Sequence, residues 1–367
     1  MKLKNLSLSF KKIDWFLLLT ICLLILLGLI LLYSVALGSQ TEQNFLNLKK
    51  QIVFFVLSVV VALLIAFFVD FRILIKYNYL LYGLGVVLLL VVLFFGKTIR
   101  GTTGWFNIAG LSFQPVELVK VFLIVYLSKF FSDKAKYISQ LKYLLLSSLG
   151  VIFLMILILL QPDFGSALIL FGLWLILILI TGVRKSHLLI LASLLIISLL
   201  FSWFFLFKDY QKERINVFLN PSLDPLGSGY NISQSIIAIG SGGLWGKGLA
   251  LGSQSQLKFL PEAQTDFIFA VLAEELGFIG ILLLLGLFTF LFYRLIKVAK
   301  STRDNFALYL VISITTLFFI QTMVNIGGNL GLLPITGIPL PFISYGGSSL
   351  LSNMILIGLV ESIIIRS

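Results

Sequence analysis

The sequence predicts an all-α membrane protein: one integral domain over residues 1–367, a bundle of about ten transmembrane helices with both termini cytoplasmic. Three observations lead there. Of the 367 residues 59% are apolar and only 11% charged, too few polar side chains to cover a soluble globule of this size. Apolar runs of about 18 residues recur along the whole length, the spacing a helix needs to cross a bilayer. Lys and Arg gather in alternate short connections, which orients the chain.

The spans follow in order as 14–34, 52–69, 78–96, 114–131, 143–160, 164–182, 188–207, 267–292, 305–326 and 344–365. The first follows Lys2, Lys4, Lys11 and Lys12 and precedes Ser34-Val35-Ala36, as in a signal peptide. Its apolar run from Trp15 to Leu32 is longer than a signal core, so it reads as an uncleaved span. Basic residues then mark every second connection: Arg72 and Lys76, Lys134 to Lys142, Arg184 and Lys185, and Arg294 to Arg303. The net charge of +12 is thus mainly an orientation signal, and nucleic acid is not an expected partner. One cysteine and one histidine exclude a disulfide framework and a histidine metal cluster.

Two stretches break the apolar pattern. Residues 208–266 form a long outer loop between spans seven and eight, rich in Gly, Ser, Asn and Pro, with interleaved Ile, Leu, Trp and Phe. Loops of this length are usually functional or disordered, and the interleaved apolar residues argue for an ordered cap on the membrane surface. Residues 327–347 form a Gly/Pro-rich segment of re-entrant character near the outer side of the last two spans. Irregular backbone at such depth needs protein around it or a wet cavity to line. Two motif matches fail. "SGGLWGKG" lacks the first glycine of a P-loop, and Ser255-x-x-Lys258 lacks the partners of an acyl-transfer site.

The carboxylates narrow the site. Glu117, Asp163, Glu262, Asp266, Glu274 and Glu275 lie in or beside apolar segments, where an ionised group costs at least ~3 kcal/mol and normally has a partner or a cavity. Glu117 and Lys120 share one helix face, as an internal ion pair or as the wall of a ligand cavity. Asp266 is expected in the first turn of a helix capped by Thr265, serving there as helix-start chemistry or as a general base at the membrane boundary. Glu274 and Glu275, two turns deeper, are expected to bond across helices.

The strings "GWFNIAGLSFQPVELVK" (104–120), "QPDFGSA" (161–167), "RINVFLNPSLDPLGSGYNISQSIIAIGSGGLWGKG" (214–248), "SQSQLKFLPEAQTDFIFAVLAEELGFIG" (253–280) and "LPITGIPLPFISYGGSS" (333–349) closely resemble the SEDS family (shape, elongation, division, sporulation). Thr336 and the short termini resemble its elongation members. The resemblance implies a peptidoglycan glycosyltransferase of the bacterial cytoplasmic membrane, active on the outer face. It would polymerise lipid II, among membrane lipids, beside a class B penicillin-binding protein. It makes Asp266, in "TDF", the catalytic residue, and matches Glu117 and Lys120 to the family's buried polar pair. Gln264, Val116 and Gly104 depart from the common pattern, which bears on groups around the base and leaves Asp266 in place.

The reaction these residues support is inverting transfer, with Asp266 as general base. Arg214, Lys247, Lys258 and Lys120 are candidates to meet the diphosphate charge, a divalent cation (magnesium or manganese) is compatible with it, and Gln264 and Ser344 are expected to contact substrate. The competing readings are a lipid II flippase and a non-catalytic scaffold for the penicillin-binding protein.

Overall fold

The computed structural model describes residues 12–39, 42–99, 101–108, 111–138, 140–201, 212, 216–217, 220, 224, 227–257 and 259–366. Each expected span coincides with a helix: α1 (Trp15–Ser39), α2 (Glu42–Phe68), α3 (Ile73–Phe95), α4 (Pro115–Lys134), α5 (Leu141–Leu159), α6 (Phe164–Thr181), α7 (Lys185–Phe201), α10 (Ile268–Ser301), α11 (Asn305–Asn329) and α12 (Gly347–Arg366). In the loop before α10 stand α8 (Ser228–Ser241) and the single turn α9 (Ser253–Gln256). Among the described residues, eight of the helices are long and apolar enough to cross a membrane. The protein is a multi-pass membrane protein.

Local chemistry sets the helix ends. Pro115 opens α4, where its missing N–H costs nothing. Asp163 caps α6 by accepting from the Ser166 amide at 2.9 Å, and Gly182 ends it in the left-handed region at φ 82°. Asp304 caps α11 through the amides of Phe306 and Ala307. Both ends of the chain meet at one face: Lys12 Nζ donates to the Ile365 carbonyl at 3.2 Å, and the Asp14 amide donates to Glu361 Oε2 at 3.2 Å. Arg294 of α10 pairs there with Asp14.

The opposite face carries the irregular segments, among them a sheet the sequence analysis did not anticipate. Strands β1 (Lys97–Ile99), β2 (Thr102–Ile108) and β3 (Leu111–Phe113) form an antiparallel meander. Lys97 pairs with Trp105 and Phe106 with Phe113. Thr, Trp and Phe favour a pleated surface, and Gly101 at φ 81° closes the first turn. This ribbon was concealed between spans because its strands are only three to seven residues long.

The expected span 267–292 proves to be a longer helix with a break. Gly277 sits at φ 64°, ψ −159° inside α10. The turn 243–248 fills the gap, its Lys247 and Gly248 amides donating to the Glu274 and Glu275 carbonyls at 3.0 Å each. In return, the Phe278 amide donates to the Gly243 carbonyl at 2.9 Å. A Cβ on Gly277 would lie 2.3 Å from the Gly246 nitrogen. Gly277→Ala is therefore expected to lower the apparent melting temperature, since this essentially glycine-only backbone conformation alone costs a residue with a side chain about 1–3 kcal/mol before the clash. Thermal unfolding of the purified protein measures it. An unchanged melting temperature would mean that the break is not held as described.

Segment 330–346 dips into the bundle. Phe342 stacks edge-on against Phe318 with centroids 5.1 Å apart, and Phe318 lies eleven residues from the end of α11 at Asn329. A Cβ on Gly28, likewise eleven residues from the end of α1, would meet the Ile343 carbonyl at 2.5 Å. Both contacts place the tip about 16 Å below the helix ends. Leu340, Phe342 and Ile343 are buried there, so protein surrounds the non-helical backbone.

Candidate functional site

Asp266 lies at the mouth of this dip, in the turn that precedes α10. The Glu262 carbonyl accepts from the amides of Thr265 at 3.0 Å and Asp266 at 3.2 Å, so the chain is still turning and the helix starts only at Ile268. Thr265 is therefore not a helix cap: its hydroxyl donates back to the Glu262 carbonyl at 3.3 Å. Asp266 stands two residues before the helix instead of in its first turn. The local turn at Glu262 overrides the capping pattern.

Three successive backbone carbonyls are pinned at this point. The Gln264 carbonyl accepts from the Tyr345 amide at 2.8 Å. The Thr265 carbonyl accepts from Ser344 Oγ at 2.6 Å. The Asp266 carbonyl accepts from Asn329 Nδ2 at 2.9 Å and from Asn325 Nδ2 at 3.1 Å. With its backbone held by the dip and by α11, the partly exposed Asp266 side chain borders a shallow, partly open recess lined also by Asn325, Asn329, Thr336, Gly337 and Ile338. A Cβ on Gly337 would stand 3.9 Å from Asp266 Oδ2, so the absence of a side chain there leaves the carboxylate approachable.

The dip is fastened in turn by α2. Gln51 donates through Nε2 to the Ser344 carbonyl at 3.3 Å and accepts from the Gly346 amide at 3.1 Å. Asn47 donates to Gln264 Oε1 at 2.9 Å, while Gln264 Nε2 is buried with no partner among the described residues. Ser344 thus holds the backbone beside Asp266, and its hydroxyl also accepts from the Leu340 amide at 2.9 Å. Ser344→Ala would remove the hydrogen bonds that Ser344 Oγ donates to the Thr265 carbonyl and accepts from the Leu340 amide, at about 1–3 kcal/mol each. The expected result is a lower turnover number with an unshifted pH profile, read from a pH series of initial rates. A shifted profile would instead mean that Ser344 influences the proton affinity of a titrating group nearby.

The other expected residues fall into distinct places. Glu117 and Lys120 form an ion pair at 2.8 Å in the bundle interior, 4% and 2% exposed. Lys247 is partly exposed and bonds to Glu274 Oε1 and to Ser253 Oγ, both at 2.9 Å. Glu274 also accepts from the Gln254 amide at 2.9 Å and the Ser255 amide at 3.1 Å, holding the start of α9. Glu275 does bond across helices, accepting from Ser34 Oγ of α1 at 2.5 Å. Asp163 accepts from Gln114 Nε2 at 3.3 Å, which ties α6 to the start of α4. Arg214 and Lys258 lie outside the described residues.

Sequence reasoning missed Asn325 and Asn329. Their signal was present: two amides four residues apart at the outer end of α11 share one helix face, here the face that turns to Asp266.

The comparisons agree with this architecture. The family model described as cell cycle protein, FtsW/RodA/SpoVE, matches residues 14–367. Stage V sporulation protein E of Bacillus subtilis (strain 168) is 37% identical over 358 residues, covering 95% of this chain and 96% of that protein. Peptidoglycan glycosyltransferase MrdB of Escherichia coli (strain K12) is 36% identical over 341 residues, covering 93% and 92%. Among solved structures, a chain from a study of how a peptidoglycan synthase complex coordinates polymerization and crosslinking superposes with TM-score 0.82 at 32% identity, covering 96% of this chain and 97% of that one. The Thermus thermophilus rod shape determining protein RodA superposes with TM-score 0.71 at 30% identity, with the same coverage.

Proposed function

Because the chain belongs to the FtsW/RodA/SpoVE family of cell cycle proteins and is a peptidoglycan glycosyltransferase, we propose that it polymerises lipid II on the outer face of the cytoplasmic membrane with Asp266 as general base. Asp266 takes the proton of the 4-hydroxyl of an acceptor N-acetylglucosamine. The oxygen so released attacks C1 of the donor N-acetylmuramate from the side opposite the diphosphate. The C1–O bond breaks, its electron pair leaves with undecaprenyl diphosphate, and the configuration at C1 inverts. No covalent sugar–enzyme intermediate is required, so one positioned base suffices.

The observation that carries this reading is the Asp266 carboxylate beside a partly open recess with its own and the two preceding carbonyls held. Such restraint places the base where the hydroxyl must arrive. The outer location is supported by the basic residues Lys297 and Lys300 at the end of α10 and Arg303 just after it, at the face opposite the recess. The developing diphosphate charge falls to Lys247, backed by Glu274, together with Arg214 and Lys258. Thr336, which lines the recess, supports placement in the elongation branch. A class B penicillin-binding protein as partner is supported by the likeness to a chain of a peptidoglycan synthase complex.

The test is lipid II polymerisation by the purified protein with its penicillin-binding partner, the partner's transpeptidase serine inactivated so that only glycan strands are scored. Long strands are expected. No strands, where a known polymerase succeeds in the same lipid, would overturn the reading.

A further inference from the structure

Five side chains in the bundle interior keep polar atoms for which the described residues supply no hydrogen-bond partner: Ser58 Oγ on α2, Glu117 Oε2 on α4, both amide atoms of Gln321 on α11, and Ser352 Oγ and Asn353 Nδ2 on α12. None is more than 4% exposed. They come from four helices, yet the packing register brings them to one depth. Helices α2 and α12 run parallel, Phe54 meeting Gly347 and Ala62 meeting Gly358. Ser58 is one helical turn from both Phe54 and Ala62 on the same face, hence opposite Ser352 and Asn353. The Gln114 amide donates to Ser348 Oγ at 3.1 Å, so Ser352, one turn further, faces α4 within a residue or so of the level of Glu117. Helix α11 runs the other way, with Ser313 Oγ 3.4 Å from Ser128 Oγ. Counting back along both helices brings Gln321 level with Lys120. The five side chains, with Lys120, then share one depth in the bundle to within about one helical turn, roughly 5 Å along the helix axes.

The chemistry of the set selects its occupant. Glu117 Oε2 and Gln321 Oε1 only accept, Gln321 Nε2 and Asn353 Nδ2 only donate, and the two hydroxyls do either. A cation would face two amide nitrogens and an anion two bare oxygens. Only a ligand that donates and accepts satisfies the whole set, and near-complete burial restricts it to a very small one. We propose that this level of the bundle is an internal hydration site, a small cluster of water molecules enclosed by α2, α4, α11 and α12 beside the Glu117–Lys120 pair. Its water donates to Glu117 Oε2, the carboxylate oxygen that Lys120 leaves unbonded, and so completes the hydrogen bonding of that carboxylate.

Two measurements on the full-length protein in lipid nanodiscs test this. In X-ray radiolytic footprinting, bound water produces hydroxyl radical where it sits, out of reach of bulk scavengers. Met354, beside Asn353 and 3% exposed, is expected to oxidise at a rate that added scavenger does not suppress. Trp174, equally buried in α6, is expected to stay protected. The second measurement is thermal unfolding of Gln321→Leu, a substitution of similar volume. In a hydrated site the waters lose two partners, and the apparent melting temperature falls by several degrees. In a dry site an unsatisfied amide is exchanged for a hydrocarbon and the melting temperature rises. Protection of Met354 equal to that of Trp174, or a rise in melting temperature, overturns the proposal.

Discussion

Asp266→Asn is expected to reduce lipid II polymerisation by about 10²–10⁴-fold, the usual worth of a positioned general base. The substitution keeps the shape of the side chain and removes its ability to take a proton. It should not disturb the fold, because Asp266 is held through its carbonyl by Asn325 and Asn329 and through its neighbours by Ser344 and Tyr345. The loss should therefore appear in the turnover number, with the KM for lipid II little changed. Asp266→Glu retains the proton acceptor but moves it by one methylene, and at a site where position matters it should recover only part of the rate. Equal strand yields from wild type and a folded Asp266→Asn protein would remove Asp266 from the chemistry.

Lys120→Met should produce the largest loss of stability. Its ammonium is 2% exposed and bonds to Glu117 Oε1 at 2.8 Å. Removing one member of a buried pair leaves the other charge uncompensated, at about 3–5 kcal/mol. The double variant Glu117→Gln with Lys120→Met carries no buried charge and should recover much of that loss. Thermal unfolding of the four proteins, wild type, two singles and the double, forms a cycle that isolates the coupling. If the single variants simply add, the two groups are not coupled in the folded protein.

How far the site could be read in advance depended on distance along the chain. Glu117 with Lys120, and Asp163 with Ser166, are three residues apart and meet in the structure as helix spacing requires. Asp266 was one of six carboxylates in or beside apolar segments, and only the family resemblance of its "TDF" motif singled it out. What surrounds it did not stand out. Asn329 is 63 residues away, Ser344 reaches the preceding carbonyl of Thr265 across 79, and Gln51 braces Ser344 from 293 residues off. The Thr265 cap was misjudged because a capping pattern is shared by turns, and only the carbonyl of Glu262 decided which one formed.

The sequence by itself determined that the chain spans a membrane, roughly where each helix lies, and which six carboxylates lie in or beside apolar segments. Those follow from local quantities: the cost of apolar surface in water, of charge in hydrocarbon, and of an unpaired backbone group. Only the tertiary structure decided that 330–346 dips to the level of Phe318, that α10 breaks at Gly277 to receive the turn 243–248, and that three carbonyls around Asp266 are held at once. Each of these depends on which helix packs beside which. Between apolar helices in a bilayer that choice comes from side-chain packing and a few long-range hydrogen bonds, and no local pattern records it.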